Sequence, residues 1–92
     1  YNLTGDVKIG IRPENFFRKQ QDENNLKIIG KINVIEPMGS ETYVYLESIQ
    51  QQLVARVKAD NSYGIGDETS LWVSPNHIRF FDAKTGMRIF LK

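Results

Sequence analysis

The stretch "QQLVARVKA", Gln51 to Ala59, puts an apolar residue at every second position through Leu53, Ala55 and Val57. A period of two is the repeat of a strand with one buried face. The same rhythm runs through "TYVYLES", where Val44 and Leu46 oppose Tyr43 and Tyr45 across the pleat, and through Asp6 to Arg12, where Val7, Ile9 and Ile11 alternate with Lys8, Gly10 and Arg12. No run repeats convincingly at helical spacing. About seven short strands punctuated by Gly and Pro predict an all-β barrel or sandwich. For 92 residues, a single core and a single domain are expected, and a five-stranded oligomer-binding barrel with extra strands at its edges is the economical form.

The longest apolar-rich run is "LKIIGKINVIE", Leu26 to Glu36. Strict alternation places Ile28, Ile32 and Val34 on one face and Ile29 and Ile35 on the other. Gly30 interrupts it and predicts a bulge or a barrel corner at that point. Turn chemistry follows in "PMGSE", Pro37 to Glu41, and the next two strands, joined by a short polar link around Ser48 to Gln51, read as a hairpin. Ala59 to Asp67 reads as loop. "ETSLWVS" and "HIRFFD" read as strands broken by "PN", and "DAKTG", Asp82 to Gly86, as a turn into a closing strand from Met87 to Leu91. "NFFRKQQDENN", Asn15 to Asn25, is polar apart from Phe16 and Phe17 and reads as a long, mobile excursion.

Composition narrows the chemistry. With no cysteine there can be no disulfide, thiolate metal site or thiol nucleophile, which suits a reducing compartment. No apolar run approaches the roughly 20 residues of a membrane-spanning helix. A net charge of +1 lacks the field that drives binding to a phosphate backbone. The one histidine, His77, is expected at a strand start with its ring outward, a poor basis for a metal site. Neither G-x-S-x-G nor G-x-x-x-x-G-K-[ST] occurs. The carboxylate pairs Glu36 with Glu41 and Asp67 with Glu68 flank turns, where solvated acids are common. "YGIGD", Tyr63 to Asp67, lacks the third glycine and the helix of a nucleotide loop and is assigned to structure. Tyr43, Tyr45, Trp72 and Phe81 could form a stacking platform for single strands, but few basic residues are interleaved with them, so no nucleic-acid partner is expected. No catalytic, cofactor or metal residue is assigned within this chain.

"GIRPEN", Gly10 to Asn15, places an arginine, a proline and a glutamate just after an apolar alternation. Pro13 must end the ladder and hold Arg12 extended. Four ordered stretches then resemble one family. "GIRPE" (Gly10 to Glu14) is similar to its Gly-hydrophobic-Arg-Pro-Glu opening, and "GKINVIEPMGSETYVYLE" (Gly30 to Glu47) to its strand, Val-x-Glu-x-x-Gly and acidic turn. "GD" (Gly66, Asp67) before "SLWV" resembles its Gly-Asp approach to the penultimate strands, and "HIRFFDAKTGMRI" (His77 to Ile89) its Phe-Asp-x-x-Thr-Gly closing segment. The family is the C-terminal regulatory domain of ATP-binding-cassette (ABC) importer ATPases of the maltose and oligosaccharide type, whose barrels are called transport-associated oligomer-binding (TOBE) domains.

The resemblance implies that residues 1–92 form the tail of a longer subunit whose nucleotide-binding domain binds ATP and Mg and hydrolyses ATP. It implies as partners that domain, a second copy of the subunit, a membrane permease with its solute-binding protein, and a regulatory protein. It implies a cytoplasmic location at the inner face of the membrane. Arg12, Pro13, Glu14, Glu36, Gly39, Phe81, Asp82 and Gly86 are the expected interface or regulatory residues, with Glu36 and Gly39 in the matching turn. The Asn15 to Asn25 stretch departs from the motif, and no regulator-binding role carries over to it. The alternative is a free-standing module for a small oxyanion or sugar, with Arg12, Arg56 and Arg79 as the residues to suspect.

Overall fold

A computed structural model describes residues 7–48, 50–59 and 62–90. Asp6 and Leu91, at the outer ends of the first and last expected strands, Ile49 in the hairpin link, and Asp60 and Asn61 in the loop lie outside the described residues. The strands are β1 (Val7–Gly10), β2 (Phe16–Phe17), β3 (Leu26–Met38), β4 (Glu41–Ser48), β5 (Gln51–Lys58), β6 (Glu68–Val73), β7 (Arg79–Asp82) and β8 (Arg88–Ile89). Short 3-10 turns occupy Pro13–Asn15 and Pro75–His77.

The domain is all-β, as the alternation predicts. Five strands in the order β2-β6-β3-β4-β5 curl into a half-barrel, and the additional strands form a small sheet of their own, β1-β7-β8. Every pairing among the described residues is antiparallel. The turn Pro13–Asn15 and strand β2 lie against β5, so the two ends of the curled sheet approach each other across the core. That core is Phe16, Ile28, Ile32, Val44, Leu46, Leu53, Ala55, Val57, Leu71 and Val73. Both β4 and β5 bury the alternate residues their sequences select.

Strand β3 departs from strict alternation. Its register against β4 shifts between Ile32 and Val34, which leaves Asn33 as an extra residue and inverts the phase of all that follows. Ile28 and Ile32 are buried as expected, but Val34 is 46% exposed and Ile35 packs against the core instead. Ile32 is also held from the other side, donating its N–H to the Asp67 carbonyl and accepting from the Gly66 N–H. The bulge thus falls beyond Gly30. What Gly30 provides is a close approach: a Cβ there would stand 2.5 Å from Leu46 Cδ1 and 3.0 Å from the Glu47 carbonyl oxygen.

The stretch from Asn15 to Asn25 is not a mobile excursion. Phe16 is buried in the core, and the two phenylalanines pair with Val73 and Trp72 of β6. The buried Asn25 carboxamide oxygen accepts from the Gln21 and Asp22 N–H groups, and the Asp22 carboxylate accepts from the Asn24 N–H. Asx-type bonds of this kind order a polar segment that has no apolar period to reveal it.

The expected turns are present with their chemistry. Gly39 has φ +81° in the two-residue connection between Met38 and Glu41, the conformation a tight hairpin demands at its first turn position. Asp82 Oδ1 accepts from the Lys84 and Thr85 N–H groups at 2.8 and 3.2 Å, and Gly86 has φ +73°. Asp82→Ala is expected to cost about 1–2 kcal/mol, the loss of two such bonds at a partly exposed site. Urea denaturation would measure it. An unchanged midpoint would show that the turn holds without the carboxylate.

Candidate functional site

Two proline corners place the site. Strand β1 of the small sheet runs through Arg12 (φ −65°, ψ 138°) and the Pro13–Asn15 turn into β2 of the half-barrel. Strand β6 of the half-barrel runs through Ser74 (φ −72°, ψ 135°) and the Pro75–His77 turn into β7 of the small sheet. Because β1 pairs with β7 and β2 with β6, an antiparallel ribbon crosses from one sheet to the other and bends where both of its chains carry proline. Proline has no N–H to continue a ladder, so the break is dictated locally. The Asn15 N–H donates to the Arg12 carbonyl and the His77 N–H to the Ser74 carbonyl, each at 2.9 Å, closing the two turns.

The bend opens a cleft of about 660 Å³. One chain of the ribbon lines it with Gly10, Ile11, Arg12, Glu14 and Asn15, the other with His77, Arg79 and Phe81. Gly10 pairs with Arg79 across the ribbon, and a Cβ on Gly10 would lie 2.8 Å from Phe81 Cε2, so the glycine lets the phenyl ring lie down as a wall. Arg79 Nη1 donates to the Asn76 carbonyl at 2.8 Å, which fixes the direction of the guanidinium. The exposed side chains of Arg12 and Glu14 form no ion pair with each other and no hydrogen bond with any described residue.

The sequence matches the transport-associated family over most of its length: the TOBE domain profile covers residues 9–81. This chain belongs to the TOBE domain family. The domain is similar to the oligosaccharides import ATP-binding protein MsmX of Bacillus subtilis, 36% identical over 91% of this chain and 24% of that protein. It is also similar to the putative uncharacterized ABC transporter ATP-binding protein YcjV of Escherichia coli K12, 35% identical over 96% of this chain and 24% of the relative. The sulfoquinovosyl glycerol transport ATP-binding protein SmoE of Agrobacterium fabrum is 32% identical over 87% of this chain and 22% of its own length. The chain thus spans about a quarter of the length of the curated relatives it matches.

Within this TOBE domain the residues singled out from sequence fall into two groups. Arg12, Pro13, Glu14 and Phe81 meet at the cleft and its corner. Glu36 and Gly39 lie on the β3–β4 hairpin, and Asp82 and Gly86 belong to the turn after β7; none of these four lines the cleft. Of the three arginines suspected for ligand binding, Arg12 and Arg79 share the cleft, whereas Arg56 sits on β5 beside Glu41 with Nε to Oε2 at 3.3 Å. Tyr43 and Tyr45 of β4 are separated from Trp72 of β6 by β3, and Phe81 belongs to the other sheet, so the four aromatics form no single platform. His77 lies in a 3-10 turn rather than at a strand start; it is exposed and lines the cleft. Asn15 and His77 went unassigned from sequence. The signal that could have found them is the pair of matching corners, "RPEN" and "SPNH".

Proposed function

We propose that this TOBE domain is the regulatory and dimer-stabilising C-terminal part of the ATP-binding subunit of an ABC importer for sugars or oligosaccharides. The observation that carries the proposal is the match of nearly the whole chain to about a quarter of ABC transporter ATP-binding proteins, one of them an oligosaccharide importer. ATP and Mg would be bound by the remainder of such a subunit, since this sequence contains no phosphate-binding loop. The subunit would lie at the cytoplasmic face of the membrane with a permease and its solute-binding protein. No helix among the described residues is long and apolar enough to cross a membrane itself.

Two surfaces suit docking. The outer face of the half-barrel exposes Phe17, Ile29, Val34 and Met38, with Tyr43 and Tyr45 half-exposed beside them, and no described element covers it. Exposed apolar side chains set among Lys27, Lys31 and Glu36 on the same face favour a protein partner, here the nucleotide-binding domain or a second copy of the subunit. Arg12 and Glu14, on either side of Pro13 and unpaired among the described residues, supply opposite charges for orientation. In the full-length subunit, Arg12→Glu combined with Glu14→Arg is expected to leave the domain folded and to reduce transport about tenfold, since misplaced like charges at an interface oppose docking. Transport assays in cells with circular dichroism of the purified subunit would test this. Undiminished transport would remove both residues from the interface.

A further inference from the structure

We propose that the small sheet β1-β7-β8 is a hinged flap, latched to the half-barrel by Gln51, whose closed and open positions set the shape of the face that a docking partner meets. The sheet is cohesive within itself. Val7–Gly10 pairs with Arg79–Asp82, Phe80 and Phe81 pair with Ile89 and Arg88, and the Phe81 ring lies against Gly10. Its hold on the rest of the domain is slight. The buried core among the described residues is drawn entirely from β2 to β6. The ribbon that joins the two sheets is unpaired over residues 11–15 on one chain and 74–78 on the other. Within that gap each proline restricts its own φ and the residue before it, and hydrogen bonds close both turns. The freest positions left are Ile11 and Ile78, one on each chain between corner and flap, which serve as the joints. Both of their side chains pack against the core and hold the pivot in place.

Beyond the joints, Ile9 alone carries the closure among the described residues. Its side chain packs against the core, and its N–H and carbonyl are both bonded by the Gln51 carboxamide. A further contact, Arg79 Nη1 to the Asn76 carbonyl, is exposed and lies on the second corner itself. The latch stands on a stiff arm. Ser48, at the end of β4, is buried and donates its hydroxyl to the Ile29 carbonyl at 2.6 Å, past the last β3–β4 pair at Lys31 and Glu47. Gln50, just before the latch, is held at φ +57°, uncommon for a residue with a side chain. The half-barrel thus fixes the base of the Gln51 side chain, and two neutral hydrogen bonds at its tip decide whether the flap is shut. A seam of that kind opens far more readily than a core. Opening moves Gly10, Arg79 and Phe81 away from Arg12, Glu14 and Asn15, which stay with the first corner. The coupling rests on the docking role proposed above for Arg12 and Glu14: a partner that prefers the closed face also holds the flap shut.

Hydrogen exchange of the full-length subunit, read by mass spectrometry, is the test, applied to Gln51→Ala and to the double charge reversal at Arg12 and Glu14. In the unaltered subunit, β1, β7 and β8 should exchange at one shared rate, faster than β3, β4 and β6. Gln51→Ala should speed the flap strands together by at least about tenfold, the effect of losing two neutral hydrogen bonds, and leave β3, β4 and β6 unchanged. Charge reversal, which touches neither Gln51 nor Ile9, should also speed the flap, because it removes the partner that holds it shut. Acceleration of every strand by Gln51→Ala would show one cooperative unit, and no acceleration would show no latch; either overturns the flap. Transport lowered by charge reversal with flap exchange unchanged would leave the docking proposal standing and overturn the coupling. Transport untouched by charge reversal, with the flap still freed by Gln51→Ala, would remove the docking role and keep the hinge.

Discussion

Gly30→Ala is expected to destabilise the domain by about 2–3 kcal/mol, at the upper part of the range for overpacking a core. The added methyl would lie 2.5 Å from Leu46 Cδ1 and 3.0 Å from a backbone oxygen, that of Glu47. Leu46 is fully buried in the core, and the Glu47 carbonyl belongs to a paired strand. Leu46→Val removes the nearer atom and by itself should cost about 1 kcal/mol, as loss of one buried methylene does. The double variant should then be more stable than the sum of the two losses by about 0.5–1 kcal/mol, since the sites are in contact. Chemical denaturation of the four proteins gives the coupling directly. Simple additivity would show that the β3 backbone moves aside rather than pressing on Leu46.

Gln51→Leu is expected to cost about 2–3 kcal/mol and to act on one part of the molecule first. The Gln51 carboxamide behaves as a strand residue turned sideways: Oε1 accepts the Ile9 N–H at 2.9 Å and Nε2 donates to the Ile9 carbonyl. It thereby joins β5 of the half-barrel to β1 of the small sheet, two elements in different sheets. Leucine would leave both Ile9 groups partly buried and unsatisfied. Amide exchange should accelerate in β1 and β7 well before the half-barrel strands respond, because sub-global opening follows the weakest seam.

Gln51→Glu adds a pH signature. At neutral pH one oxygen of the introduced carboxylate still accepts the Ile9 N–H, but the other faces the Ile9 carbonyl oxygen with no proton between them; this repulsion, added to partial burial, outweighs the single retained bond and raises the folded-state pKa above the usual glutamate value of about 4.3. A raised folded pKa means that the stabilisation is present below the unfolded value and is lost as pH rises through the folded one. The variant should therefore recover part of its deficit on acidification, when the protonated acid again offers one donor and one acceptor. A deficit independent of pH would exclude the bridge as the cause.

What could be read from residues alone is bounded by the range of the signal. The faces of β4 and β5 follow from local alternation and are correct residue by residue. The Asp82 to Gly86 turn and the Gly39 hairpin follow from side-chain and backbone preferences within a few positions. Pro13 was readable as a corner for the same reason. In β3, by contrast, one inserted residue at Asn33 moved Val34 out and Ile35 in. Alternation carries no record of a bulge, because which strand position goes unpaired depends on the partner's register. Phe16 was hidden in a polar stretch, and its burial is decided by the β6 strand it meets.

The candidate site divides in the same way. Arg12, Glu14 and Phe81 were identifiable as motif residues, yet nothing local brings the first corner beside His77 and Arg79, more than sixty positions later. Gln51 reads as an ordinary polar residue at the foot of a hairpin, and its bonds span 42 positions. The sequence by itself determined the all-β class, the buried faces of β4 and β5, the Gly39 and Asp82 turns and the membership of the TOBE family, since periodicity and turn chemistry are properties of neighbouring residues. The tertiary structure alone decided the phase of β3, the seam at Gln51 and the convergence of two proline corners on one cleft, because each depends on which distant backbone offers the complementary surface or hydrogen-bonding group.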